Sequence, residues 1–326
     1  MPGSDQYWRS MKIAVAGGSG FLGRNLLPLL TDAGYRCTVL TRDPEKCRDI
    51  RLLPGVHLQR ANLHDVEALS QLLSGHDAVI NLVGILNESG RAGKGFQKAH
   101  VDLTRNLLEA GEKAGVNRFI QVSALGADTD SPNASHYLKS KRQAEELVQA
   151  SSADATIFRP SVMFGVDDAF FNRFAELLRW LPVMPLACPN SQLQPVWVVD
   201  VAQAIRKSLA SPATVGKTFP LVGPTRVSLI DVVRFTARAI GKKRLVIGLP
   251  DFLSRMQAFF CDFVPGKPFS TDNYRSLKID NVSDENGLDE LGIEPRPMTG
   301  FVGAYLAGSS RQQRFDLIRR GRQPRD

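Results

Sequence analysis

A chain of 326 residues with 43% hydrophobic content has the material for a full core, as one large domain or two unequal lobes, and is not a disordered tract. The net charge of +8 invites nucleic acid or anionic lipid, but half of the excess lies beyond Ser309, where six arginines (Arg311, Arg314, Arg319, Arg320, Arg322, Arg325) face two aspartates (Asp316, Asp326). No basic stripe with interleaved aromatics runs through the body, which excludes nucleic acid as a partner. Cys37, Cys47, Cys188 and Cys261 form no CxxC pair, which argues against a disulfide framework or zinc site and for a reducing, cytoplasmic compartment.

Residues 1–10 are polar and lack the apolar run of a signal peptide, and 309–326 form a basic tail. No window is long and apolar enough to span a membrane. The nearest, Leu245 to Val264, is broken by Pro250, Asp251, Arg255 and Asp262, so at most it lies on a membrane surface.

Lys12 to Ala16 is a short apolar run of strand type. Three glycines spaced three apart follow it (Gly17, Gly20, Gly23), then a leucine-rich amphipathic segment. Strand, tight turn and helix start in that order predict a dinucleotide pyrophosphate site. Glycine tolerates positive φ there, and a missing Cβ lets backbone amides approach phosphate at a helix N-terminus. Phe21 and Leu22, which open the helix, belong to the same cofactor-binding set. The helix runs from Phe21 to Ala33, with Leu22, Leu26, Leu29 and Leu30 on one face and a bend expected at Pro28.

Arg36 to Leu40 is the second strand. An acid at its end would grip the ribose 2′-hydroxyl of NAD, whereas here Thr41-Arg42 follows and no acid comes before Asp43. Arg42 therefore favours NADP(H) over NAD(H) by pairing with a 2′-phosphate, unless Asp43 neutralises it. Val56 to Leu58 is the third strand, with Asn62 and Leu63 after it where adenine would lie. Asp77 to Val83 is the fourth, and Val83 and Gly84 pass close to the cofactor's second half. Phe96 to Ala114 is a long amphipathic helix, and Arg118 to Ser123 is the fifth strand. This alternation predicts an α/β protein with a Rossmann-like, doubly wound parallel sheet and ligands beyond the carboxyl ends of its strands.

Ser123 stands at such an end. Tyr137 and Lys141, four positions apart, share one face of a helix from about Ser135 to Ser151. A phenol titrates near ~10 and an adjacent ammonium lowers it. The expected catalytic set is therefore Tyr137 as acid/base, Lys141 tuning it and reaching the nicotinamide ribose, and Ser123 orienting the substrate oxygen. The plainer alternative is a tyrosine and a lysine on an exposed helix face.

Thr156 to Arg159 is the sixth strand. Pro160, counted among the cofactor contacts, is tolerated because the strand has ended, and the loop Ser161 to Gly165 crosses the nicotinamide side. Asn172 and Arg173 either face the substrate or solvate a helix. Leu229 to Ile240 is amphipathic, with Lys242-Lys243-Arg244 after it. Pro250 to Phe263 gathers Phe252, Leu253, Met256, Phe259, Phe260 and Phe263, expected as core covering the pocket. The sharper alternative is a hydrophobic entrance for a quinone or prenyl-like substrate at a membrane surface, flanked by basic residues.

The glycine triplet, Asn81-Leu82-Val83-Gly84, Ser123 and Tyr137-x-x-x-Lys141 together resemble the extended and atypical short-chain dehydrogenase/reductases over residues 11 to 225. A later series narrows the resemblance: Phe158 to Gly165, Asp167 to Phe174, Gln194 to Val201, Leu221 to Thr225, Ser270-Thr271-Asp272 and Asp280-Asn281-Val282. It is similar to the subfamily of the nucleotide-binding accessory subunit of respiratory complex I and its free-standing bacterial relatives, through about residue 308. The resemblance implies tightly held NADP(H), structural rather than turned over in the assembled complex. It assigns Gly17, Gly20 and Gly23 to the pyrophosphate, Arg42 to the 2′-phosphate, and Tyr137 and Lys141 to the nicotinamide ribose. Asn62 stands where related enzymes commonly have an acid, and its amide can make the same contact. Asn81 to Gly84 replaces a more polar version of that motif.

The expected organisation is a nucleotide-binding domain over 11–165, continued by 195–225, and a smaller, mostly helical substrate-side lobe over 166–194 and 226–308. The absence of a long presequence suggests a bacterial cytoplasmic protein, peripheral at most to the inner face of the membrane. Two functions follow. One is an oxidoreductase on a lipophilic carbonyl or quinone-related substrate. The other is a non-catalytic nucleotide-binding module docked on a respiratory or membrane-associated assembly. A nucleotide-sugar epimerase or dehydratase is a weaker third, since the second lobe is apolar.

Overall fold

A computed structural model describes residues 11–88, 90, 92–264 and 269–307; the polar N-terminal extension and the basic tail lie outside the described residues. The strands are β1 (Lys12–Ala16), β2 (Arg36–Thr41), β3 (Val56–Arg60), β4 (Ala78–Asn81), β5 (Arg118–Val122), β6 (Asp154–Pro160), β7 (Val183–Leu186), β8 (Thr218–Leu221) and β9 (Leu245–Gly248), with a few two-residue bridges besides. The main helices are α1 (Phe21–Asp32), α2 (Val66–Leu73), α3 (Leu103–Ala114), α4 (His136–Gln149), α5 (Ala169–Trp180), α6 (Val198–Leu209), α7 (Leu229–Ala239), α8 (Asp251–Cys261), α9 (Thr271–Leu277) and α10 (Val302–Ala307).

Seven strands of the described chain form one sheet in the order β8-β6-β5-β4-β1-β2-β3, and every pairing is parallel. Parallel strands need helical crossovers, so both faces are covered and the strands read as nearly continuous apolar runs. Alternation along β1 divides the core. Ile13 and Val15 pack with Leu26 and Leu27 of α1 and Ile205 of α6 on one face, and Ala14 and Ala16 with Leu69 and Leu73 of α2 and Leu107 of α3 on the other. Chain order reverses between β1 and β4, so the ligand crevice of such a sheet opens at their carboxyl ends. Pro28 is carried inside α1 without ending it.

Three local expectations are corrected. The fourth strand stops at Asn81, not Val83, because Asn81 turns its side chain into the core and accepts the Val83 amide at 3.1 Å, which starts a loop. The long helix before β5 begins at Lys94 and passes through a π-helical stretch, Gln97–Asp102, before α3; such widened turns are common at functional sites and re-aim a side chain, here His100. Pro160 is the last residue of β6, paired with Leu221, rather than lying beyond it. It is tolerated because β5 has already ended at Val122, and the Pro160 carbonyl still accepts from Leu125 at 3.0 Å.

The smaller lobe is mostly helical, with β7 and β9 paired in parallel. Its cluster of α8 aromatics is not core. Phe252, Phe259, Phe260 and Phe263 are 69%, 52%, 62% and 64% exposed, and Met256 is exposed with them. Only Ser254 and Ala258 of α8 are buried. The reason is the surface beneath: Ser254 Oγ donates to the carbonyls of Leu249 and Pro250 and accepts from the Cys188 amide, a backbone contact that only a small residue fits. Asn172 does not face a substrate either. Its amide nitrogen is spent on the carbonyls of Val166 and Asp168, while Arg173 points to solvent. No helix among the described residues is long and apolar enough to cross a membrane.

Candidate functional site

The glycine turn closes on itself through a 3.0 Å bond from the Gly20 amide to the Gly17 carbonyl. Gly17 has φ +79°, and a Cβ there would sit 3.0 Å from the backbone of Leu82 and Val83, so glycine alone lets the turns after β1 and β4 meet. A Cβ on Gly23 would lie 2.3 Å from the Gly18 carbonyl oxygen, which fixes α1 against the turn. Gly20 caps α1 in extended geometry without a side-chain oxygen. The first-turn amides, beginning at Phe21 and Leu22, therefore lack the side-chain partner that a helix start normally finds, and the positive helix end faces the crevice. Arg24, not singled out from sequence, braces the turn: its Nε donates to the Ser19 carbonyl at 2.9 Å and its guanidinium pairs with Asp49.

Arg42 is exposed just past β2. Asp43 does not neutralise it; that carboxylate pairs with Lys46 at 3.1 Å, and Lys46 holds it below the usual carboxylate range. Asn62 is exposed, with Oδ1 taken by the His64 amide at 3.1 Å, so only its Nδ2 remains to face a base. Leu63 and Val83 are half-buried against the same core face and flank the space between the β3 and β4 ends. Phe21 and Gly165 approach so closely that a Cβ on Gly165 would meet the Phe21 ring at 3.0 Å, which brings the loop after β6 and Pro160 over the start of α1.

On the other side of β4, Lys141 is 3% exposed, and its Nζ donates to the carbonyls of Val122 at 3.1 Å and Val83 at 3.4 Å. It thus ties α4 to the ends of β5 and β4 and keeps a third donor. Burial pulls its pKa down to about 8, against the opposing pull of the Glu145 carboxylate. A Cβ on Gly84 would come within 3.3 Å of that Nζ. Ser123, next after Val122, is 4% exposed, and its hydroxyl has no hydrogen-bond partner among the described residues. A buried orphan hydroxyl is costly unless a ligand completes it.

Tyr137 is half-buried, and its phenol does not follow the expectation of a lowered pKa. Burial pushes it up to about 12, because loss of water disfavours the phenolate. Its ring packs edge-on against Phe96 and His100, with centroids 6.0 and 5.6 Å apart.

Sequence reasoning missed His100, Ser140 and the role of Asp272. His100 Nε2 accepts from the Ile85 amide at 3.0 Å, so the proton sits on Nδ1, which donates to Ser140 Oγ at 2.8 Å. Ser140 in turn donates to the Tyr137 carbonyl at 2.7 Å. Desolvation and the Lys141 charge push His100 down to about 2, so it is a neutral brace and not an acid. Asp272 of α9 accepts the His136 amide at 2.6 Å and the Tyr137 amide at 3.1 Å, while Ser135 caps Leu138 and accepts from Ser276. A carboxylate at the positive end of α4 is favourable, and here the smaller lobe supplies it. The period-4 pairing of Tyr137 and Lys141 was visible in sequence; a cap arriving from 135 residues away was not.

The other late motifs are ties of the same kind. Asn281 Nδ2 donates to the Leu125 carbonyl and its Oδ1 accepts from Ser161. Gln194 bridges Gly223 and Ser283. Asp168 caps α5 through Phe171 and accepts from the Tyr305 hydroxyl at 2.6 Å. A cavity of about 440 Å³ opens at the amino ends of β1 to β3, lined by Lys12, Arg36, His57 and His76, on the side of the sheet opposite the glycine turn. A smaller one, about 200 Å³, lies near Tyr137 and is lined by Asn87, Phe96, His136, Phe259, Asp272 and Arg275 among others; Ser123, Tyr137 and Lys141 themselves line neither cavity.

A family model described as NAD(P)H-binding matches residues 17–168. The mitochondrial NADH dehydrogenase [ubiquinone] 1 alpha subcomplex subunit 9 of Rattus norvegicus is 32% identical over 295 residues, covering 87% of this chain and 76% of that protein. The ceramide reductase of Caulobacter vibrioides is 31% identical over 242 residues, covering 73% of this chain and 74% of its own. Among solved structures, an NADPH-dependent quinone oxidoreductase of Escherichia coli complexed with NADPH has a TM-score of 0.71 at 18% identity, covering 89% of this chain and 98% of that one. At that identity the likeness is one of fold.

Proposed function

The chain belongs to the family of the mitochondrial NADH dehydrogenase [ubiquinone] 1 alpha subcomplex subunit 9, an NAD(P)H-binding group of extended short-chain dehydrogenase/reductase type, and on that premise we propose that it is a reductase, preferring NADPH, for a lipophilic carbonyl or quinone-related compound. The observation that carries this is the buried, unpartnered Ser123 hydroxyl beside the carbonyl that holds Lys141. A carbonyl oxygen of a substrate would give it the partner it lacks.

The residues present fit a dinucleotide. The uncapped amides of the Gly17, Gly20 and Gly23 turn, with Phe21 and Leu22, would hold the pyrophosphate, and Arg42 the 2′-phosphate. Asn62, Leu63 and Val83 would flank adenine, and Gly84, Pro160, Tyr137 and Lys141 the nicotinamide end. Reduced nicotinamide, when bound, supplies hydride. The chain's own part is the proton and the orientation. Ser123 donates to the substrate oxygen, and Tyr137, kept protonated by burial up to about pH 12, gives its proton as charge builds there. Lys141, charged below about pH 8, would turn its remaining donor to the nicotinamide ribose. Phe96 and Phe259 line the neighbouring cavity beside polar and charged groups such as Asp272 and Arg275, so a substrate there would need an apolar part and a polar one. The name of the ceramide reductase supports the same class.

The test is titration of purified protein with NADPH and NADH by nicotinamide fluorescence, then NADPH oxidation with short-chain quinones and long-chain ketones. Tyr137→Phe should keep nucleotide affinity and lose turnover. A second function, a nucleotide-bearing accessory module of a respiratory complex, is favoured by the raised Tyr137 phenol, which opposes any step needing a phenolate base. Tight NADPH binding without turnover of any of these substrates would select it.

A further inference from the structure

In a helix packed on a protein core the large apolar residues face inward. α8 does the reverse. Its small residues Ser254 and Ala258 are buried, and Phe252, Met256, Phe259 and Phe260 stand outward, continued by Phe263 and Val264. Phe259 stacks edge-on with its exposed neighbours Phe260 and Phe263, at 5.8 and 5.4 Å. The apolar surface does not end with the helix. Gln257 reaches the Pro185 carbonyl, joining α8 to the β7/β9 pair, where Val183, Leu245 and Ile247 are exposed as well. A run of this extent is not the scattered single exposure of an ordinary surface.

Charge decides what covers it. Arg255 stands exposed among the aromatics, and Lys242 and Lys243 are exposed at the edge of β9. The carboxylates at the two ends of α8 are turned away, to α9: Asp251 accepts from Tyr274 and Lys278, and Asp262 from Thr271. The outward face is thus aromatic with a cationic margin, and the acids at the two ends of α8 are paired with groups at α9, Asp251 with Lys278 at the surface and Asp262 with Thr271. That pattern matches a lipid interface, where rings enter the acyl boundary and cations meet phosphate.

We propose that the α8 face and the adjoining β7/β9 surface dock on an anionic phospholipid bilayer, with Phe252, Phe259, Phe260 and Phe263 inserted at the headgroup boundary. Phe259 also lines the 200 Å³ cavity that reaches Phe96 and His136, so docking opens that cavity toward lipid rather than water. The docking rests on the surface itself; only the delivery of a lipophilic substrate rests on the reductase function proposed above.

Full-length protein is sedimented with vesicles of phosphatidylcholine alone and with vesicles containing one third phosphatidylglycerol. Expected are binding to the anionic vesicles that weakens with salt, and a loss of roughly tenfold or more in the double variant Phe252→Ser/Phe260→Ser, with unchanged nucleotide affinity and melting temperature. A smaller loss in Lys243→Glu/Arg255→Glu supports the cationic margin. A Phe260→Trp reporter should be quenched by bromine-labelled acyl chains. Binding that survives the aromatic substitutions, or that disappears only on removing residues 309–326, overturns the proposal. So does a dimer in analytical ultracentrifugation that the double variant dissolves in protein failing to bind vesicles. Because nucleotide affinity is measured separately, failure here leaves the reductase function standing, and the converse holds.

Discussion

α1 and α8 are helices of 12 and 11 residues with comparable apolar content and opposite fates. α1 buries Leu22, Leu26, Leu27, Pro28 and Leu30, and Gly23 sets it so close to the turn after β1 that its free amides face the crevice. α8 buries two small residues and presents rings to the outside. Apolar content does not decide which face is buried; the surface to be packed against does. Behind α1 is a sheet face of Ile13, Val15 and Val39 that needs large side chains, whereas behind α8 is backbone at Cys188, Leu249 and Pro250 that admits a serine.

The comparison is most exposed to failure at Gly23. Gly23→Val should abolish nucleotide binding and lower stability by about 3 kcal/mol through overpacking, seen in denaturant unfolding; a variant with native stability would mean that α1 is not seated by that contact. Lys141→Met should weaken NADPH by roughly ten- to a hundredfold, as expected for ~1.5–3 kcal/mol from a charged donor. The pH dependence follows from its lowered pKa. Below about 8 the ammonium is present and affinity is full. As pH rises through that value the charge and a donor are lost, so wild-type affinity should fall there while the methionine variant stays flat.

Asp272→Ala removes the carboxylate from the α4 amides and should cost about 1–2 kcal/mol in thermal or chemical unfolding, with Asp272→Asn recovering part. Equal stability in the alanine variant would separate the smaller lobe from the Tyr137 helix. Arg42→Ala should weaken NADPH by about tenfold, or ~1.4 kcal/mol, and leave NADH unchanged; equal losses for both would remove the 2′-phosphate assignment. Smallest of all, Met256→Ser on α8 should shift unfolding by no more than ~0.5 kcal/mol. A large loss there would mean that the outward face of α8 is packed after all.

The strands and the glycine turn were legible because their signals are local. The short apolar run of β1, the spacing of Gly17, Gly20 and Gly23, and the four-residue interval from Tyr137 to Lys141 all act within a few residues. The π-helical turn that aims His100 was not legible, since its cause is the packing of Phe96 and His100 against Tyr137. Nor was the raised Tyr137 phenol, because the four-residue spacing puts an ammonium nearby but does not show how far the fold desolvates the ring.

By itself the sequence determined a parallel, doubly wound α/β sheet, a glycine-rich turn after the first strand, and the family to which the late motifs belong. Only the tertiary structure decided that Asp272 caps the Tyr137 helix, that the Ser123 hydroxyl is left without a partner, and that the aromatics of α8 face outward. The physical reason is distance along the chain. Backbone geometry and side-chain period follow from neighbours, whereas desolvation, capping from a remote loop and the choice of buried face depend on what the fold brings alongside.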